Sequence, residues 1–255
     1  MAEADPNLSD AHTQMPSLKG RKAVIRGGTT GIGRSIAVLL ASEGVEIFTC
    51  GRDEQQLKDG LERINEVGKG DGIACDLSDR GQRDRFFDEA ETRPVGYDIA
   101  IVNAAIPADA LTEMAEDDAR YAIATDFTAY LMSAFRAAKH MGDRGDIILI
   151  GSFSAHILGP HSTVYAGMKY GVAGFAEALR KELSNKGIKV GLVEPAKTGA
   201  DFQLPDIPAD KQREMINADK MLRAEDIAVG VHFMLTQPRR AVVQQLTIVQ
   251  RVGDE

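Results

Sequence analysis

Apolar residues along this chain follow two spacings in alternation. Short apolar runs lie at 23–25, 45–50, 72–75, 99–102, 146–150, 189–193 and 242–249, and each reads as a strand. Between them apolar positions recur at helical spacing, as at Ile32, Ile36, Leu39 and Leu40, which share one face. That spacing predicts helices over 32–43, 53–67, 80–92, 118–141, 165–183, 209–218 and 224–235. Strands with no polar face are buried on both sides, so the alternation predicts a parallel sheet covered by helices front and back. Right-handed crossovers then give an α/β fold, a single doubly wound Rossmann domain with a seven-stranded parallel sheet. The weakest pattern falls between residues 195 and 222, where Pro195, Pro205 and Pro208 interrupt the chain. This stretch follows a strand end and reads as a flap over the ligand crevice.

Composition narrows the picture. A length of 255 residues suits one α/β sheet domain, and no second domain is expected. The domain is assigned to 18–255. The polar segment 1–17 has no apolar signal core and reads as a flexible leader. Hydrophobic residues make up 44% but aromatics only 5%, so the core must be aliphatic. A net charge of -8, with no basic stripe interleaved with aromatics, weighs against nucleic acid or an anionic membrane as partner. No apolar run is long enough to span a bilayer. Cys50 and Cys75 sit in apolar runs and read as reduced core thiols of a cytoplasmic protein. The metal-binding patterns CxxC and HExxH do not occur, so no metal site is expected.

The candidate chemistry begins where the first strand meets Gly27-Gly28-Thr29-Thr30-Gly31-Ile32-Gly33. Glycines between a strand and a helix let the backbone approach a pyrophosphate, which the free N–H groups of the new helix then face. Farther on, Tyr165 and Lys169 lie four apart on one face of a predicted helix. That helix follows a strand ending in Ile150-Gly151-Ser152, and open α/β sheets bind ligands at such carboxyl ends. With the Gly-x3-Gly-x-Gly spacing and the Ser152-to-Tyr165 interval, the chain resembles the classical short-chain dehydrogenase/reductases from Leu18 to Val249.

The resemblance implies an enzyme that moves a hydride between nicotinamide and a carbonyl or alcohol substrate. Tyr165 would be general acid in reduction and general base in oxidation, its phenol eased toward ionisation by Lys169. Ser152 would donate to the substrate oxygen, and Lys169 would also bind the nicotinamide ribose. The implied cofactor surface is Gly27, Thr29, Gly31, Ile32, Gly33, Arg52, Asp76, Leu77, Asn103, Ala104, Tyr165, Lys169, Pro195 and Thr198. Within it, Asp76 would bind the adenine amino group. Gly51-Arg52 stands where an acid would grip a ribose hydroxyl, and a guanidinium there can hold a 2′-phosphate, so NADP(H) is the expected cofactor.

Several positions depart from the family pattern. Arg26 stands where Thr precedes the glycines, and Ala104 and Ile106 replace the second Asn and the Gly of an Asn-Asn-Ala-Gly segment. Asp126 stands where a catalytic Asn completes a tetrad. Pro195-Ala196 replaces Pro-Gly, and Ala200 falls where a Thr holds the carboxamide, a role Thr198 could take with a shifted loop. These departures keep open an alternative, a dinucleotide-binding sensor or scaffold with weak or lost catalysis. Phe153, His156, Leu158, His161 and the 202–204 flap are the expected substrate walls. The tail from Met221 to Ile248 looks like that of members oxidising small 3-hydroxy acids or amino alcohols. The helices over 118–141 and 165–183 resemble those through which the family forms homodimers and homotetramers.

Overall fold

The computed structural model describes residues 15–93, 96–204 and 206–253; most of the 1–17 segment, and Pro205 of the flap, lie outside them. Seven parallel strands form the central sheet: β1 (Lys22–Arg26), β2 (Glu46–Gly51), β3 (Lys69–Ala74), β4 (Ile99–Val102), β5 (Gly145–Ile150), β6 (Ile188–Pro195) and, numbered ninth in the chain, β9 (Gln245–Ile248). Their spatial order is β3-β2-β1-β4-β5-β6-β9, so the winding reverses between β1 and β4. A crevice opens at that reversal beyond the carboxyl ends of the strands.

Alternate residues of each strand enter opposite cores. Val24, Phe48, Val102, Ile147 and Leu149 face α3 (Arg80–Thr92), α5 (Ala129–His140) and α6 (Thr163–Leu183) through Phe86, Ala134 and Val172. Ile25, Ile47, Ile101, Ile148 and Val193 face α1 (Gly31–Ser42), α2 (Glu54–Asn65) and α8 (Ala224–Leu235) through Leu40, Ile64 and Val231. The expected doubly wound α/β domain with its seven-stranded sheet is the fold observed. Both cores are mainly aliphatic, as the low aromatic content requires.

The helix expected over 118–141 is interrupted. It consists of α4 (Glu116–Ile123), one π-helical turn at Ala124–Thr128, and α5. The extra residue in that turn sets Thr125 and Asp126 inward, and both are buried. Such insertions concentrate at functional sites. In the flap, β7 (Thr198–Gly199) pairs with β8 (Leu222–Arg223), and α7 (Ala209–Asn217) lies between them. The last strand is shorter than the apolar pattern suggests. No described helix is long and apolar enough to cross a membrane.

Candidate active site

The turn after β1 is built by close approach. Gly27 has φ +74, and a Cβ there would lie 2.5 Å from Ala104 Cβ, so the turn packs directly on the end of β4. A Cβ on Gly33 would lie 1.9 Å from the Gly27 carbonyl oxygen and 2.6 Å from Asn103 Nδ2. Only glycines let α1 begin this tightly. Asn103 Nδ2 donates to Gly27 O at 3.0 Å, and Ala104 N to Arg26 O at 3.0 Å, which ties the two central strand ends together. Thr30 caps α1 with extended backbone and no side-chain hydrogen bond, so no side chain covers the first N–H groups.

A cleft of about 1290 Å³ runs over these strand ends. Gly27, Thr29, Gly31, Ile32, Arg52, Asp76 and Leu77 line it at one end. Asn103, Ala104, Ser152, Tyr165, Lys169, Pro195 and Thr198 line it toward the other. Gly33 and Asp126 are not in its wall. Gly33 lies under the turn, and Asp126 is fully buried behind the Tyr165 end. The glycine cradle and uncovered helix start fit a pyrophosphate, so the cleft fits a dinucleotide in size and donors.

At the end of the cleft beside β2, Arg52 Nη1 donates to the Tyr121 hydroxyl at 2.8 Å, and that hydroxyl donates to Asp76 Oδ2 at 2.8 Å. Asp76 Oδ1 accepts from the backbone N–H and the hydroxyl of Ser78. Burial raises the Asp76 carboxyl, but the Ser78 bonds, Tyr121 and Arg52 outweigh it and hold it low. Asp79, not Asp76, caps α3 by accepting from Gln82 N. Sequence reasoning missed Tyr121, which no motif marks.

At the other end, the Ser152 hydroxyl accepts from Ser154 N at 3.1 Å and acts on the Tyr165 phenol, pulling it down. Lys169 is 1% exposed; its Nζ lies 5.5 Å from the Tyr165 ring centroid and donates to the Tyr130 hydroxyl at 3.2 Å and Ile150 O at 3.3 Å. Tyr130, also missed, is legible afterwards: it lies one helical turn past Asp126. Burial pushes the Tyr165 phenol up, more than Lys169 and Ser152 pull it down. The expected easing by Lys169 is therefore present but smaller than desolvation, and the phenol rests as an acid. Asp126 Oδ1 accepts from Ile106 N at 3.0 Å, and burial pushes its carboxyl up to about 6 against the pull of Lys169.

The expected substrate walls need correction. Phe153 and Phe202 line the cleft, and the Phe202 ring lies 5.7 Å from that of Tyr165. His156, Leu158, His161 and Leu204 do not line it; Ile157, Val249 and Gln250 do. His156 turns away, with Nε2 2.9 Å from the buried Glu194 Oε2. The loop after Ser152 doubles back through a short helical turn at Phe153–Ala155, a shape that residue types alone do not reveal. Thr198 Oγ1 donates to Ala196 O at 2.9 Å and is buried at the cleft edge. Among the described residues no cluster of potential metal ligands occurs.

Residues 21–209 match the family model described as short chain dehydrogenase. A 3-oxoacyl-[acyl-carrier-protein] reductase of Haemophilus influenzae is 30% identical over 226 residues, covering 85% of this chain and 91% of that protein. An uncharacterized oxidoreductase of Staphylococcus aureus is 27% identical over 237 residues, 92% of this chain and 99% of the other. Among solved structures, a short chain dehydrogenase from Burkholderia cenocepacia in complex with NADP superposes with a TM-score of 0.82 at 26% identity, covering 92% of this chain and 98% of that one.

Proposed function

This chain belongs to the short-chain dehydrogenase family, and from that premise we propose that it is an NADP(H)-dependent oxidoreductase interconverting a carbonyl and an alcohol, with Tyr165 exchanging the proton. The observation that carries this reading is the meeting of Ser152, Tyr165 and Lys169 in one cleft with the glycine turn. A bound nicotinamide supplies the hydride. The chain's own residues do the rest. In reduction Tyr165 would give its proton to the substrate oxygen as that oxygen takes up the carbonyl π pair. The Ser152 hydroxyl donates to the same oxygen as charge develops. The buried Lys169 ammonium stabilises the phenolate left behind. In oxidation the proton returns to Tyr165.

Arg52 supports NADP(H), because β2 ends in Gly51, with no acidic side chain there to grip a ribose hydroxyl, and Asp53 of the cleft wall is engaged in capping α2 through Gln56 N. The NADP complex of the Burkholderia neighbour supports the same preference. The buried, unbridged thiols of Cys50 and Cys75 support a cytoplasmic location. Phe135 at 52% and Tyr170 at 62% exposure, on neighbouring helices, support burial of that face in a homodimer or homotetramer. The direct test is a panel of carbonyls and alcohols scanned with NADPH and NADP. It should include small 3-hydroxy acids and a 3-oxoacyl thioester, the latter after the Haemophilus relative. Turnover that needs Tyr165 supports the reading. Cofactor binding without any turnover would favour a dinucleotide-binding sensor.

A further inference from the structure

Arg26 ends β1, and its side chain enters the same core face as Val24 two residues earlier. It is 1% exposed. The guanidinium lies 4.6 Å from the Tyr130 ring centroid, and Nη2 donates to Thr125 O at 2.7 Å. Nε and Nη1 have no hydrogen-bond partner. A guanidinium has five donors and stays charged in proteins. Here it is buried with one hydrogen bond, so its retention needs an electrostatic reason. The carboxylate acting on it is Asp126, the residue after Thr125, itself 0% exposed and with Oδ2 unpartnered. Lys169 also acts on Asp126, and its Nζ lies 4.7 Å from the same Tyr130 ring. Three buried charges, plus, minus and plus, thus surround Tyr130 behind the Tyr165 phenol.

We propose that Arg26 is a positioning residue for proton transfer: its guanidinium balances the Asp126 carboxylate, so that the net charge facing Tyr165 is the single positive charge of Lys169. The inference rests on the reading of Tyr165 as the proton-exchanging group. Neutral residues at positions 26 and 126 would leave the same net charge, and a carboxylate at 126 alone would cancel Lys169. The groups facing each member are few. Lys169, Ser152, Asp126 and Tyr130 face Tyr165. Lys169, Arg26 and Arg52 face Asp126. Tyr130, Asp126, Cys50 and Arg83 face Arg26. Arg52 is exposed and donates to Tyr121, which leaves Arg26 as the buried counterion besides Lys169.

The test is a double-mutant cycle read by the ultraviolet tyrosinate band of Tyr165. Each variant is titrated against its own Tyr165→Phe counterpart, without cofactor or substrate. Asp126 is ionised throughout the range where a phenol titrates. Arg26→Met then leaves Asp126 opposing Lys169, and the Tyr165 midpoint should rise by about one pH unit, tenfold in proton affinity. Asp126→Asn should lower it by a similar amount. Arg26→Met with Asp126→Asn should return it to the wild-type midpoint within about a third of a pH unit. Arg26→Lys, which keeps the charge but changes the shape, should leave it there too. An unmoved midpoint in Arg26→Met overturns the proposal, as does a double variant that stays displaced. If Arg26→Met does not fold, the double variant and Arg26→Lys decide by the same criterion. Midpoints that move as stated in a protein with no turnover would defeat the proposed function and the proton-transfer role with it, leaving only the charge balance of Arg26 and Asp126 at Tyr165. Tyr165-dependent turnover with fixed midpoints would do the reverse.

Discussion

Arg52 donates from Nη1 to the hydroxyl of Tyr121 at 2.8 Å, joining the end of β2 to α4 across one end of the cleft. The arginine is otherwise exposed, so its remaining donors face solvent where a ribose phosphate would lie. A charge-assisted hydrogen bond contributes about 1.5–3 kcal/mol. Arg52→Ala should therefore weaken NADPH binding roughly tenfold to a hundredfold and leave NADH binding nearly unchanged. Tyr121→Phe should have a smaller effect of the same sign, since it frees Arg52 while removing its support. Fluorescence titrations with both cofactors check this, and equal wild-type affinity for NADPH and NADH would sink the preference.

Tyr165→Phe keeps the ring against Phe202 and removes only the proton donor. Turnover should fall by about 10²–10⁴-fold with cofactor affinity nearly unchanged. Burial favours the protonated phenol. Reduction should accordingly hold its rate through neutral pH and decline only as the phenol ionises at alkaline pH. Oxidation, which needs the ionised form, should climb over that same alkaline range. A Tyr165→Phe protein that keeps most of its activity would remove Tyr165 from the chemistry.

The fold was legible because the central strands carry apolar residues on both faces, so Val24 and Ile25 could each be assigned a covered side without knowing the helices. The glycine turn, Ser152, Tyr165 and Lys169 were legible because a tight turn and one helical face are local properties. Tyr121 was not, since its reach to Arg52 and Asp76 depends on where α4 stands relative to the residues that follow β2 and β3, a non-local arrangement. The π-helical turn at Ala124–Thr128 was hidden as well, because one inserted residue barely alters apolar spacing over so long a helix. Arg26 stood out as an odd residue type. Its direction followed from parity with Val24, but its stacking on Tyr130 required the position of α5.

A second buried charge cluster lies at the amino ends of the central strands. Asp146, near the start of β5, is 1% exposed and bridges Arg21 at 2.8 Å, Arg239 at 2.9 Å and Lys189 at 3.4 Å. Asp146→Ala leaves Arg21 with Asp98 alone and takes the shared carboxylate away from Arg239 and Lys189. Breaking a buried pair costs about 3–5 kcal/mol, and the partial exposure of Arg21 and Arg239 favours the lower figure. The thermal midpoint should fall accordingly. The activity of the remaining folded protein should not change, because this cluster sits at the amino ends of the strands, away from the cleft. A specific activity that falls along with stability would contradict that separation.

Asp126→Asn separates the pH dependence of stability from that of proton transfer. Burial pushes the Asp126 carboxyl up to about 6, whereas an unfolded aspartate titrates near about 4. The folded state thus binds the extra proton between those values. Its contribution to stability is complete below about pH 4 and is lost as pH rises through about 6. The asparagine variant lacks this titration. Its stability relative to wild type should therefore improve on going from about pH 4 to about pH 7, by on the order of 3 kcal/mol. A constant offset between the two proteins is compatible with this, since asparagine also leaves Arg26 without its counterion; the slope is what counts. Denaturant midpoints measured across that range give the slope directly, and a flat difference would mean that Asp126 does not titrate there. The kinetic consequence lies at higher pH. With the carboxylate gone, Arg26 and Lys169 both favour the Tyr165 phenolate, so the basic limb of alcohol oxidation should move to lower pH with turnover retained. A limb that stays fixed, or moves the other way, would take Asp126 out of the proton-transfer site even if the stability slope is as expected.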